Sequence, residues 1–171
     1  MSMEKGVWLD GINKSTVTAT IHSYLTVGLT LADEYGQRYV LVYNDADTVI
    51  LPTNACTPKN ATTTGYSVTV STISSQSRLA GVPVVTIATN YFGFVQTSGF
   101  KAGLKSESAI ASAGLAIGVG DNGAFAVKVN ASGVTGATGC GTAGVCGQIV
   151  STTTAARGSV DAFFKSELFA G

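Results

Sequence analysis

The stretch Ala80-Gly81-Val82-Pro83-Val84-Val85-Thr86-Ile87-Ala88-Thr89-Asn90-Tyr91-Phe92-Gly93-Phe94-Val95-Gln96-Thr97-Ser98-Gly99-Phe100 decides the fold class. It holds two β-branched and aromatic runs, Val82 to Ala88 and Tyr91 to Gln96, joined at Thr89-Asn90. Such residues fit a pleated, half-buried surface, and the Gly, Pro and Asn around them form turns. No group in the stretch is suited to attack, deprotonate or ligate a substrate. It pairs backbone and packs aromatics, which predicts Tyr91–Thr97 inside a sheet with Phe94 buried.

Further runs of the same kind lie on both sides. Thr16 to His22 alternates polar and apolar residues, so a strand there would bury Val17, Ala19 and Ile21 on one face. Gln37 to Tyr43 is more continuously apolar and reads as a central strand. Tyr66, Val68 and Val70 alternate with Ser67, Thr69 and Ser71, and Ala124 to Val129 behaves likewise. Val160 to Phe169, with Phe163, Phe164, Leu168 and Phe169, reads as a closing strand. Only Glu107 to Gly114 hints at helix. Thr53–Ser77 is Ser/Thr-rich and Gly133–Gly147 Gly-rich, and both read as long loops, the second projecting or joining a neighbouring subunit. Many short runs with turn residues between them argue for an all-β sandwich or barrel-like fold.

A chain of 171 residues, 45% of them hydrophobic, has enough material for one domain with a real core. Only 12% of its residues are charged, and ten basic side chains balance ten acidic ones. That surface offers no field to draw in nucleic acid or anionic lipid. Ser, Thr, Gly and Asn replace charge, which suits crowded, repeated assembly. The first residues, Met1 to Gly6, lack the apolar core of a secretory signal. The most hydrophobic window, the 11 residues Ala109 to Val119, falls short of the roughly 20 needed to span a bilayer. Synthesis in a cytosol is therefore expected, and the Asn-x-Ser/Thr triplets at Asn13, Asn60 and Asn130 are read as chance products.

Candidate chemistry is sparse. Gly118-Val119-Gly120-Asp121-Asn122-Gly123 matches a pyrophosphate-cradling string, but that motif needs a helix to begin inside it, and here a strand follows. A tight hairpin turn between Leu115–Val119 and Ala124–Val129 is expected instead. The single histidine, His22, has no carboxylate near it in sequence. Asn44, Asp45 and Asp47 offer too few oxygen ligands for calcium, so a strand-capping turn is the better reading. Cys140 and Cys146 enclose five residues, and Cys56 stands apart. Two cysteines are no zinc site, and the pair is read as thiols ahead of a disulfide. No metal, no cofactor and no enzymatic activity are expected.

Tyr91-Phe92-Gly93-Phe94-Val95-Gln96, then two residues and Gly99, follows the strand Gly81-Val82-Pro83-Val84-Val85. Upstream stands Gly36-Gln37-Arg38-Tyr39-Val40-Leu41-Val42-Tyr43-Asn44-Asp45, and downstream Gly114-Leu115-Ala116-Ile117-Gly118 opens a further hairpin. In pattern and order these segments resemble the small decoration, or cement, proteins of tailed-bacteriophage heads. The expected architecture is a single-domain β-sandwich or barrel-like (tulip-like) fold with long loops and little helix. The resemblance implies a virion structural protein made in the host cytoplasm. It would sit on the outer surface of the capsid and clamp neighbouring major capsid protein subunits, as a homo-oligomer, often a homotrimer. Candidate interface residues are Trp8, in an N-terminal arm spanning 1–12, with Arg38, Tyr91, Phe92, Gln96 and Lys101. The alternative is an adhesive β-module of a tail fibre or cell surface that binds glycans through its Ser/Thr/Asn/Gly-rich loops. Fibres tend to carry repeats, and this chain has no internal repeat.

Overall fold

The computed structural model describes residues 14–20, 25–59, 66–72, 78–127, 146–154 and 158–166. Among them are eleven strands and no helix. In chain order these are β1 (Val17–Thr18), β2 (Thr30–Ala32), β3 (Arg38–Asn44), β4 (Cys56–Pro58), β5 (Ser67–Val70) and β6 (Val82–Pro83). There follow β7 (Phe92–Lys105), β8 (Ala116–Val119), β9 (Phe125–Val127), β10 (Gly147–Ile149) and β11 (Ser159–Lys165). Eight of them run β4-β5-β3-β7-β11-β10-β8-β9 in one sheet, with β1 and β6 added to β7 and β2 to β3. The pairings are antiparallel apart from β3 with β5. The result is an all-β single domain built on a curled, mixed eight-stranded sheet.

The 14-residue β7 joins the two halves of this sheet. One edge pairs with β3 from Phe92 to Ser98, and the other takes β1, β6 and β11 in succession. Register shifts opposite Arg38/Tyr39 and Val160/Ala162 mark two bulges, and Gly99 and Gly103 beside them have φ of 107° and 74°. An extra residue on one strand bends it and raises its twist, and glycine accepts positive φ without a Cβ clash. The amide of Gly103, displaced by its bulge, donates to Asp161 Oδ1 at 3.0 Å.

Bridges at the sheet margins tighten each curl. Cys56 bridges Gly81, so β4 meets the segment entering β6, and Ser106 past the end of β7 bridges Phe125 of β9. Inside the first curl pack Val40, Val42, Ile50, Cys56, Val68, Ile87 and Val95. Inside the second pack Leu104, Ile117, Val119, Phe125, Val160 and Phe164. A third cluster of Leu25, Tyr39, Leu41 and Phe94 covers the opposite face of β3 and β7.

Several expectations change. Glu107–Gly114 is not helical, because its amides bond to distant segments: Glu107 N–H to the Phe125 carbonyl of β9 and Ile110 N–H to the Thr153 carbonyl in an isolated bridge. The Val82–Ala88 run forms only a two-residue strand, with Ile87 bridging Ile50. Pro83 supplies no amide to a ladder there. Of the described part of the Thr16–His22 run only β1 is strand and Ala19 is exposed, since Thr18 Oγ1 accepts from the Thr20 amide and donates to the Thr20 carbonyl; Ile21 and His22 lie outside the described residues. Thr53–Ser77 is no plain loop: it carries β4 and β5, which build the wall of the first curl. Most of Gly133–Gly147 lies outside the described residues, but Cys146 is buried and Gly147 begins β10. The residues of β11 end the described part of the closing run near Ser166.

Candidate functional site

The candidate interface residues do not converge. Trp8 and the 1–12 segment lie outside the described residues, as do His22 and Cys140. Arg38 is exposed at the start of β3, and Tyr91, 38% exposed, precedes β7 at the far end of the same ladder. Six rungs of about 3.4 Å separate them by roughly 20 Å. Phe92 is half-buried, its ring 4.9 Å from that of Tyr43. Gln96 is buried, and its amide nitrogen donates to the Ser98 and Phe100 carbonyls at 3.1 and 2.9 Å. It shapes the first bulge of β7 and presents no surface to a partner. Lys101 is half-buried, with Nζ 3.4 Å from the Pro83 carbonyl. Burial pushes its ammonium pKa down, and the nearby charge of Lys14 adds to this.

One polar cluster stands at the β2–β3 hairpin. The Tyr39 hydroxyl is 2.7 Å from both Asp33 Oδ2 and Gln37 Oε1, and Lys14 Nζ lies 3.2 Å from that hydroxyl and 3.1 Å from Asp33 Oδ2. Lys14 also sits over the Tyr39 ring, 4.9 Å from its centroid. Asp33 Oδ1 accepts from the amides of Tyr35 and Gln37. Burial works to raise the Asp33 pKa, yet the hydrogen bonds from Tyr39, the Gln37 amide and Lys14 outweigh it and hold the carboxyl below its ordinary value. Each member has partners within the cluster, so it ties the start of the described chain to the hairpin.

The glycine-rich string is a turn. Asn122 and Gly123 have φ of 50° and 71°, and the Ala124 amide donates to the Asp121 carbonyl at 2.9 Å. Two successive positive φ values are what a type I′ hairpin turn requires. The turn is docked: Ala55 N–H reaches the Gly123 carbonyl, Gly123 N–H the Ser71 carbonyl, and Ser71 Oγ the Gly120 carbonyl. The Gly123 and Ala124 amides are therefore taken by protein carbonyls. Asn44 likewise caps its strand, since Nδ2 donates to the carbonyls of Thr48, Ile87 and Ala88 while Oδ1 accepts from the Ala46 amide. Asp45 pairs with Lys59 at 2.9 Å. Burial pushes the Cys56 thiol pKa up, and Cys146 Sγ lies 3.5 Å from the Ile117 carbonyl within the second core. Among the described residues no group of three His, Cys, Asp or Glu is placed to hold a metal ion. The described residues contain no helix long and apolar enough to cross a membrane.

Sequence reasoning missed a pair of exposed aromatics in contact. Phe100 and Phe163 are directly opposite on β7 and β11, with ring centroids 5.3 Å apart and exposures of 38% and 57%. The same transverse row continues through Gln148 of β10 to Ala116 of β8, and Val150 is exposed beside it. The signal was present in Phe163-Phe164, because adjacent residues of a strand point to opposite faces. With Phe164 inside, Phe163 had to be outside.

No protein-family model matches the chain, and neither the curated proteins nor the solved structures contain a significant match to it.

Proposed function

We propose that this chain is a capsid decoration protein of a tailed bacteriophage, bound to the outside of an assembled head and clamping neighbouring major capsid protein subunits without a catalytic step. The observation that carries this reading is spatial. The segments that resemble cement proteins hold β3, β6, the first part of β7 and most of β8. Of these, β3 and β7 form a six-rung antiparallel ladder from Arg38 with Ser98 to Tyr43 with Phe92. Matches that fall on adjacent strands describe one structural unit, and a tulip-like barrel is the finer architecture that belongs to the same reading. The balanced, weakly charged composition lets many copies crowd on one shell without mutual repulsion. Several copies acting together on a lattice gain avidity by factors of about 10² to 10⁴, so weak single contacts suffice.

The test mixes purified chain with heads of the encoding phage assembled without it and follows co-sedimentation, with a version lacking residues 1–12 alongside. Binding by the full chain and weaker binding by the shortened one are expected, the latter because Trp8 is an anchor-type aromatic. Heads that pellet without the full chain would overturn the assignment and favour a glycan-binding adhesive module.

A further inference from the structure

We propose that two copies of this chain associate through the outer face of β7 and β11, about a two-fold axis that sets Phe163 against Phe163 of the partner subunit. Val160, Ala162 and Phe164 fill the second core, so the alternate residues Asp161, Phe163 and Lys165 face outward. Phe100 extends the apolar centre on one side, and Val150 stands beside Asp161 on the other, its amide bonded to the Asp161 carbonyl. Large exposed aromatics that touch one another mark an interaction surface more strongly than scattered ones do.

The order of charge along β11 chooses the partner. Asp161 lies two residues before Phe163 and Lys165 two residues after it, and the register places Arg38 in the same transverse row as Ser98 and Lys165. Asp161 thus stands on one side of Phe163, and Lys165 with Arg38 on the other, while Lys105, opposite Ser159 beyond Asp161, turns its ammonium to the Asn122 carbonyl at 2.7 Å. When two such faces stack with β11 antiparallel to β11, each Asp161 meets Lys165 of the partner subunit, and the rings of Phe100 and Phe163 from both copies form the centre. A patch that is its own complement is the condition for an isologous two-fold interface. Stacking with the strands parallel would oppose like charges, and an unrelated partner gives no reason for the antisymmetry.

This association goes beyond the head-binding reading and is measured without heads, so the failure of either leaves the other standing. A three-fold grouping on a head concerns the lattice, whereas the pair is a property of the free chain. Sedimentation velocity of the full chain over a range of concentrations should show reversible dimers. Phe163→Ser should weaken them by about tenfold or more, as loss of a central aromatic anchor does. Lys165→Glu alone and Asp161→Lys alone should each give monomers, and mixing the two should restore a heterodimer, because every opposed pair is then of opposite sign. Asp161→Lys gives up the bond to the Gly103 amide, so thermal melts establish that it folds. If it does not, Phe163→Ser decides. A parent that sediments as monomer or trimer throughout, dimers indifferent to Phe163→Ser, or folded charge variants that fail to pair on mixing would overturn the proposal.

Discussion

At the scale of the residue, position in the pleat governs what each side chain does. Phe94 is fully buried against Leu25, Tyr39 and Leu41, as its place in an aromatic and β-branched run implied. Phe94→Ala should cost about 3–5 kcal/mol, the range for an aromatic removed from a core, read from chemical denaturation. A variant that unfolds with the parent would place that ring at the surface. Gln96, two residues on, shows where such reading stops: a buried amide that completes a bulge cannot be told from an exposed one without knowing the bulge. Asp33 gives a pH dependence. Its folded pKa is depressed below the roughly 3.9 of an unfolded aspartate, so its stabilisation is present above that value and is lost as pH falls through the folded pKa. The difference in melting temperature between parent and Asp33→Asn should therefore shrink from pH 6 towards pH 2. A difference constant over that range would mean that the Asp33 charge plays no part.

At the scale of the element, strands and turns with local signals were legible, and those made by distant partners were not. Asp121-Asn122-Gly123 announces its own hairpin because the residues at positive φ are adjacent in sequence. Glu107–Gly114 does not announce its fate, since the amides that deny it a helix bond to Phe125 and Thr153. The bulges of β7 belong to the same class, being defined by register against β3 and β11. Two glycines separate backbone strain from packing. Gly36 has φ of 74° with open space where a Cβ would stand, so Gly36→Ala should cost about 1 kcal/mol, the ordinary penalty of the left-handed region. Gly123 has φ of 71°, and an added Cβ would lie 2.7 Å from Asn54 Nδ2 and 2.8 Å from Val70 Cγ1. Gly123→Ala should cost clearly more, and equal denaturation midpoints for the two variants would show that the turn is not docked on β5.

At the scale of the whole molecule, the all-β class follows from composition and spacing, but the curl of the sheet rests on the parallel β3–β5 pair and the Cys56–Gly81 and Ser106–Phe125 bridges. Each joins residues far apart in the chain, which no periodicity records. The candidate interface was legible as residue types and not as a place: Arg38 and Tyr91 stand at opposite ends of one ladder, while the exposed Phe100–Phe163 pair went unnoticed between them and β10. The proposed function needs the outer surface to grip a lattice, and its consequence is mechanical. Heads assembled without the chain should open at a lower temperature than heads to which it has been added back, as followed by release of packaged DNA to an intercalating dye during heating. The account predicts a saturable rise in the opening temperature as the sites fill. Heads that bind the chain yet open at an unchanged temperature would contradict it.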